Sequence, residues 1–190
     1  MLNLDAGTRA TGSSPARKMD LIELEQAAVW RTATAADLTA IQKIADKIHV
    51  DLPERPEVIA EKIELFPEGC FVLAHKDSVV GYGLSHPWFL NEVPPLDRLL
   101  HRLPSSPECL LIHDVAILEQ ARGRGAASVL MERLVKLARS HGLMKLALVS
   151  VYNTRAIWSR LGFKIVADTA VMKKLGSYGT VPRYMVRKLD

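Results

Sequence analysis

Two hydrophobic rhythms alternate along this chain, one strand-like and one helical. Val29-Trp-Arg-Thr32 predicts a short first strand. After Thr34-Ala-Ala-Asp37, a capping-box-like start, Leu38, Ile41, Ile44, Ala45 and Ile48 recur at helical spacing. Asp51-Leu-Pro-Glu-Arg-Pro56 breaks that pattern, and Val58, Ile59, Ile63 and Phe66 predict a second helix ended by Pro67. Cys70–His75 and Val79–Ser85 flank Lys76-Asp77-Ser78 as a hairpin.

Residues 86–108, with Pro87, Pro94, Pro95, Pro104 and Pro107, predict a long irregular excursion, a kind of loop that is often functional. An apolar run over 109–118 then predicts a strand. Leu130, Leu134, Leu137 and Ala138 mark one face of the helix that follows, and Gly142 suits its C-cap. A strand over 143–151, a short helix over 154–161, a strand over 163–168, a loop through Gly176 and Gly179 and a strand around Tyr184–Lys188 complete the pattern. Strands and helices alternate in the centre while hairpins lie at the ends, which predicts one mixed α/β sheet.

The chemistry concentrates where the strand of 109–118 meets the next helix, at Arg122-Gly123-Arg124-Gly125-Ala126-Ala127-Ser128. A strand, a glycine turn and a helix start aim free backbone N–H groups and the positive end of a helix dipole at one point, a natural seat for phosphate. A P-loop needs Gly-Lys-Ser/Thr, and here Gly125 is followed by Ala126-Ala127-Ser128. Gly123, Gly125 and Ser128 spell a dinucleotide-like G-x-G-x-x-S. The next strand, however, ends in Tyr152-Asn153 without the carboxylate that grips a ribose, so a nicotinamide dinucleotide is set aside.

Composition narrows the field further. At 190 residues, 48% hydrophobic and 24% charged, the chain suits one globular domain. No apolar run reaches the roughly 18–20 residues of a membrane span. Residues 1–28 carry Arg9, Arg17 and Lys18 against Asp5, Asp20, Glu23 and Glu25, which weakens a transit-peptide reading and favours a flexible tail. The tail nets −1, so the rest of the chain carries +5 of the total +4. A mildly basic body suits a polyanionic cofactor and lacks the dense cationic stripe of a nucleic-acid binder. Cys70 and Cys109 open strand patterns and read as buried hydrophobes in a reducing, cytoplasmic setting, and the six histidines show no metal-ligand spacing.

Arg122-x-x-Gly125-x-Ala127 resembles the (Gln/Arg)-x-x-Gly-x-(Gly/Ala) coenzyme A signature of the GNAT acetyltransferase superfamily. A second block, Val151-Tyr152-Asn153 through Ala156, Trp158 and Leu161-Gly162-Phe163, looks like that family's second motif. Tyr178-Gly179 and Tyr184-Met185 resemble the C-terminal segment of an uncharacterised subgroup with Trp in the second motif. The resemblance covers 29–190 and implies a single-domain, mostly antiparallel sheet flanked by helices, with splayed central parallel strands. It also implies acetyl-CoA as cosubstrate. By position, the backbones of Val115, Ala116 and Ile117 would meet the pantetheine arm, and amides from Gly123 to Ser128, with Arg122 and Arg124, the pyrophosphate. Asn153 would donate a hydrogen bond to the cofactor, or else cap a helix.

His113 and Asp114 are the acid–base candidates, and strand alternation predicts that one of them meets the active site. The departure from the family is Trp158, which stands where a tyrosine commonly protonates the leaving thiolate. The thiolate would then leave unprotonated, take a proton from water, or take one from another tyrosine such as Tyr82, Tyr152 or Tyr178. Asp51, Glu54 and Glu57 are acids that could draw a cationic amine, or simply a solvated face, and Tyr82, Trp88 and Trp158 would wall the substrate pocket. The expected activity is N-acetylation of a primary amine on a small molecule or peptide by direct attack, in a monomer or homodimer, with no nucleic acid or membrane partner. The alternative is a coenzyme A-binding sensor or interaction module that has lost catalysis.

Overall fold

The computed structural model describes residues 27–179 and 181–190. The tail expected over 1–28 lies outside the described residues save for Ala27 and Ala28. Among the described residues, seven strands form one sheet: β1 (Val29–Thr32), β2 (Cys70–His75), β3 (Ser78–Trp88), β4 (Cys109–Ile117), β5 (Lys145–Ser150), β6 (Lys164–Ile165) and β7 (Arg183–Lys188). Their spatial order is β1-β2-β3-β4-β5-β7-β6. The helices are α1 (Leu38–Ile48), α2 (Pro56–Leu65), α3 (Ala126–Ser140), α4 (Arg155–Arg160) and α5 (Thr169–Lys174).

All neighbouring strands run antiparallel except β4 and β5, which α3 connects as a crossover. That parallel pair lasts from Leu110 opposite Leu146 to Ile112 opposite Leu148, and β4 then continues to Ile117 with β3 as its one neighbour. The parting coincides with a bulge against β3, where Leu84 faces Asp114 but Ser85 faces Ile112, leaving His113 without a partner. The bulge shifts the alternation of β4 by one residue. Leu110 and Ile112 pack on the α3 side with Leu130 and Leu134. Past the bulge Val115 and Ile117 take over that side, and Ala116 joins Ile41, Ile44 and Tyr82 on the α1–α2 side. One extra residue in a strand does this by rotating every later side chain to the other face.

Gly83 of β3 lies directly beneath α3, and a Cβ there would sit 2.7 Å from Leu130 Cδ2. The missing side chain is what lets the helix settle on the sheet. The ring of Trp30 on β1 fixes the start of α3, its Nε1 donating to Ala126 O at 2.8 Å. β3 runs three residues beyond its predicted end at Ser85, through His86 and Pro87 to Trp88. It does so past the end of β2, with β4 as its remaining neighbour, where a proline's missing N–H is tolerated. The strand predicted over 163–168 contracts to Lys164–Ile165, and the predicted loop after it begins as α5. The Asp168 carboxylate accepts the Ala170 amide at 2.8 Å to cap that helix, and Val171 buries against Leu175 and Tyr178.

Asp37 holds the turn into α1. Its carboxylate takes a two-pronged pair from Arg31 at 2.6 and 2.8 Å and the Thr34 amide at 2.9 Å. The Arg31 hydrogen bonds hold its pKa at about 2, against a smaller opposing effect of burial. A carboxylate with a depressed pKa stabilises the fold above its unfolded value and loses that contribution as pH falls through its folded one. Asp37→Ala is expected to cost about 1–2 kcal/mol at neutral pH in denaturant unfolding. The gap from the parent protein should close as the pH approaches about 2; a gap independent of pH contradicts the charge assignment.

Candidate active site

The parting of β4 from β5 opens a cavity of about 680 Å³. At one end lie Gly123, Gly125, Ala126 and Ala127, and the wall then follows Val115, Ala116 and Ile117 to His113, Asp114 and Glu54. The glycine turn is built for close approach. Gly123 and Gly125 have φ of +75° and +77°, and a Cβ on either would meet nothing within 4 Å, so the space before α3 is open. Among the described residues, the amides of Gly123, Arg124, Gly125, Ala126 and Ala127 take no hydrogen-bond partner. Ser128 differs from the expectation. Its amide donates to Gly125 O at 3.0 Å, and its side chain is exposed and off the wall, as is that of Arg124. Arg122 lines the cavity, but its Nε donates to Ile117 O at 2.7 Å, tying the turn to the end of β4.

The bare edge of β4 has a definite polarity. Leu118 N donates to Val80 O on β3. By two-residue alternation, Val115 and Ile117 turn their amides the other way, into the gap, whereas Ala116 turns its own toward β3. A turn with free amides leading into a strand edge with unpaired N–H groups fits an extended ligand with a pyrophosphate at one end and amide groups along its length, as in coenzyme A.

The opposite end holds an ionisable cluster. His113 and Asp114 both line the cavity, against the alternation rule, because the bulge places both on the α1–α2 side. His113 Nε2 is 2.7 Å from Glu54 Oε2, and Glu54 also has Lys62 Nζ at 3.7 Å and accepts the Asp97 amide at 3.2 Å. Burial works against the Glu54 charge, yet His113 and Lys62 overcome it and hold its pKa at about 2. Asp114 accepts the Tyr82 hydroxyl on one oxygen and has His49 Nε2 at 2.9 Å from the other, a close charge contact poorly aligned for a hydrogen bond. Burial pulls the His49 pKa down, but Asp114 and then Glu54 outweigh it and raise it above the ordinary value. His86, wholly buried 6.2 Å from the His113 ring, is pushed down to about 3 by burial and by His113.

Several expected wall residues stand elsewhere. Tyr82 is fully buried behind Asp114 and does not line the cavity, and burial beside that carboxylate pushes its pKa well up. Trp88 packs edge-on against His86, also off the wall. Trp158 does line it, with Nε1 donating to Thr154 Oγ1 at 3.1 Å. Asn153 is exposed at φ +62° and off the wall, and Thr154 takes the N-cap of α4. Tyr152 and Tyr178 line the cavity, Tyr152 stacking on His49 and Tyr178 donating to Pro94 O at 2.7 Å. Of the three acids around the start of α2, Glu54 alone is buried on the wall; Asp51 and Glu57 are solvated. His49, Lys62 and His86 escaped the sequence reading, since only the fold gathers them. Among the described residues there is no cluster that could hold a metal ion and no helix long and apolar enough to cross a membrane.

A crossover whose strands part beside an open helix start, with acids and imidazoles beyond, defines an α/β protein with a cavity along a strand edge that suits a phosphate-bearing ligand. The chain belongs to the acetyltransferase (GNAT) family, whose model matches residues 38–163. Solved structures share the fold. The GphF GNAT-like decarboxylase in complex with isobutyryl-CoA is 16% identical, with 85% of this chain and 100% of that chain covered and a TM-score of 0.69. N-acetylglutamate synthase from Neisseria gonorrhoeae, complexed with coenzyme A and N-acetyl-glutamate, is 19% identical over 85% of this chain and 35% of that one, at 0.66. Arabidopsis thaliana Naa50, bound to the bisubstrate analogue CoA-Ac-MVNAL, is 13% identical over 86% and 99%, at 0.63. No curated protein matches the chain.

The electrostatic cluster makes its own forecast. Histidine ring resonances followed against pH should show His49 titrating above the ordinary imidazole value of about 6.5. His86 should stay neutral down to about pH 3. A raised histidine stabilises the fold below its unfolded pKa, and that help is lost as pH rises through the folded value. Asp114→Asn should lower the His49 midpoint; an unmoved midpoint contradicts the pairing.

Proposed function

We propose that the protein transfers the acetyl group of acetyl-CoA to a primary amine by direct attack in a ternary complex. The observation that carries this reading is the single cavity joining free helix-start amides, a bare strand edge and a cluster of proton acceptors. The amides of Gly123 to Ala127 would hold the pyrophosphate and those of Val115 and Ile117 the pantetheine arm. The Val115 N–H is also the candidate donor to the thioester oxygen, a role typically worth about 3 kcal/mol.

In the reaction the amine nitrogen bonds to the acetyl carbon, the carbon–sulfur bond breaks, the nitrogen loses a proton and the thiolate gains one. An amine with a pKa of about 10 arrives as the ammonium, so before attack it gives up one further proton to an acceptor on the protein. With Glu54 ionised, the proton shared with His113 rests on Nε2, leaving Nδ1 as the basic nitrogen. Asp114, held by Tyr82 and His49, is the second acceptor. Trp158 has no acidity to lend. Tyr82 is tied to Asp114 and Tyr178 to Pro94, so Tyr152 is the wall tyrosine left to meet the thiolate. The rival reading, a coenzyme A-binding module without turnover, rests on Trp158 and its bond to Thr154. The acceptor, small molecule or peptide, and a cytoplasmic setting as monomer or homodimer belong to this same reading.

Calorimetric titration with coenzyme A and rates of acetyl-CoA consumption over a panel of amines test it. Gly125→Val forces a branched residue into the left-handed region and fills the open space, so it should abolish saturable binding while circular dichroism stays that of the folded chain. His113→Gln should keep coenzyme A affinity and lower kcat about a hundredfold. Unaltered binding by Gly125→Val sinks the site assignment. Tight binding with no amine acetylated favours the rival.

A further inference from the structure

The two ends of the cavity differ in charge. Arg122 lines the wall at the glycine turn, but among the described residues no lysine or arginine lines the end around Glu54 and Asp114. The nearest cations are already engaged off the wall, Lys62 Nζ lying 3.7 Å from Glu54 Oε1. Lys62 is 1% exposed behind Glu54 and donates to Val58 O, and Arg55 is paired with Asp97 at 2.9 Å. His49, the wall imidazole with a raised pKa, already faces Asp114. The remainder of that end is apolar or aromatic, formed by Ile48, Leu52, Leu96 and the rings of Tyr152 and Tyr178.

We infer that the acceptor is a primary amine on an apolar or aromatic body with no carboxylate beside the amine, so that amino acids are rejected in favour of their decarboxylated or amidated counterparts. The inference rests on the acetyl-transfer reading. An ammonium entering this end is drawn to Glu54 and Asp114 in a setting poorer in water than the surface. An α-carboxylate on the same molecule comes within reach of the same two acids and finds no cation to replace its lost hydration. Discrimination here comes from repulsion of the wrong substrate as much as from attraction of the right one.

Matched trios test this: phenethylamine, phenylalanine and phenylalaninamide; isoamylamine, leucine and leucinamide, each with acetyl-CoA. kcat/KM for amine and amide should exceed that of the acid by about tenfold or more. Leu96→Arg plants a guanidinium on the wall and should narrow that gap about threefold or more, with coenzyme A affinity unchanged. Leu52→Lys does the same from the opposite loop should Leu96→Arg fail to fold. An acid used as well as its amine overturns the inference, because charge then decides nothing. An amide as poor as its acid overturns it in favour of size. A gap that neither folded variant narrows overturns it as well. All three results leave acetyl transfer standing. Failure to acetylate any member of either trio while coenzyme A binds overturns both readings.

Discussion

A parallel strand pair that stops after three rungs is the constraint on which the rest depends. The hydrogen bonds between β4 and β5 end at Ile112 and Leu148, and the unpaired length of β4 forms one wall of the cavity. Unpaired backbone groups in a sheet interior are costly unless something else satisfies them, so such a gap suits an extended ligand that can pair with them. The same bulge that accompanies the parting at His113 turns Asp114 onto the face of its neighbour. One irregular residue therefore does two jobs: it accompanies the opening of the strand edge and it brings two adjacent ionisable side chains into one space.

The acidic side chains near the far end serve the backbone as well as the cavity. Glu54 and Asp97 each accept an amide from the other's loop. Glu61 takes the Leu100 and His101 amides, Glu108 takes Leu90, and the Tyr178 hydroxyl meets Pro94 O. A proline-rich excursion cannot satisfy its own N–H groups by a regular ladder, and these carboxylates satisfy them instead. The excursion is thereby strapped to α2 and to the segment after α5, which positions Leu96 and Tyr178 on the wall. Rigidity of this kind favours a site whose charges are set before the ligand arrives.

The strand, glycine turn and amphipathic helix were legible in the sequence because each is specified by residues near one another. The spacing of Leu130, Leu134 and Ala138 gives the buried face of α3, and Gly123 and Gly125 give the left-handed turn before it. Longer-range features were not legible in this way. Alternation along β4 separates His113 from Asp114, and nothing in the local pattern announces the extra residue that reunites them. Tyr82 and Trp88 looked equally suited to a wall, yet the sheet buries the first behind Asp114 and packs the second against His86. Asn153 and Thr154 both suit a cap, and the turn before α4 uses the threonine.

Sequence alone determined the order of elements, the amphipathic faces and the open helix start, because hydrophobic period and glycine conformation are properties of contiguous residues. Tertiary structure decided which of Asp51, Glu54 and Glu57 becomes buried, which tyrosines reach the cavity, and that His49, Lys62 and His86 gather around the acids. Those choices follow from the approach of segments far apart along the chain, and of these charge contacts His49 to Asp114 spans the most, about sixty-five residues. Charge coupling falls off with distance in space rather than along the chain, so only the folded arrangement fixes it.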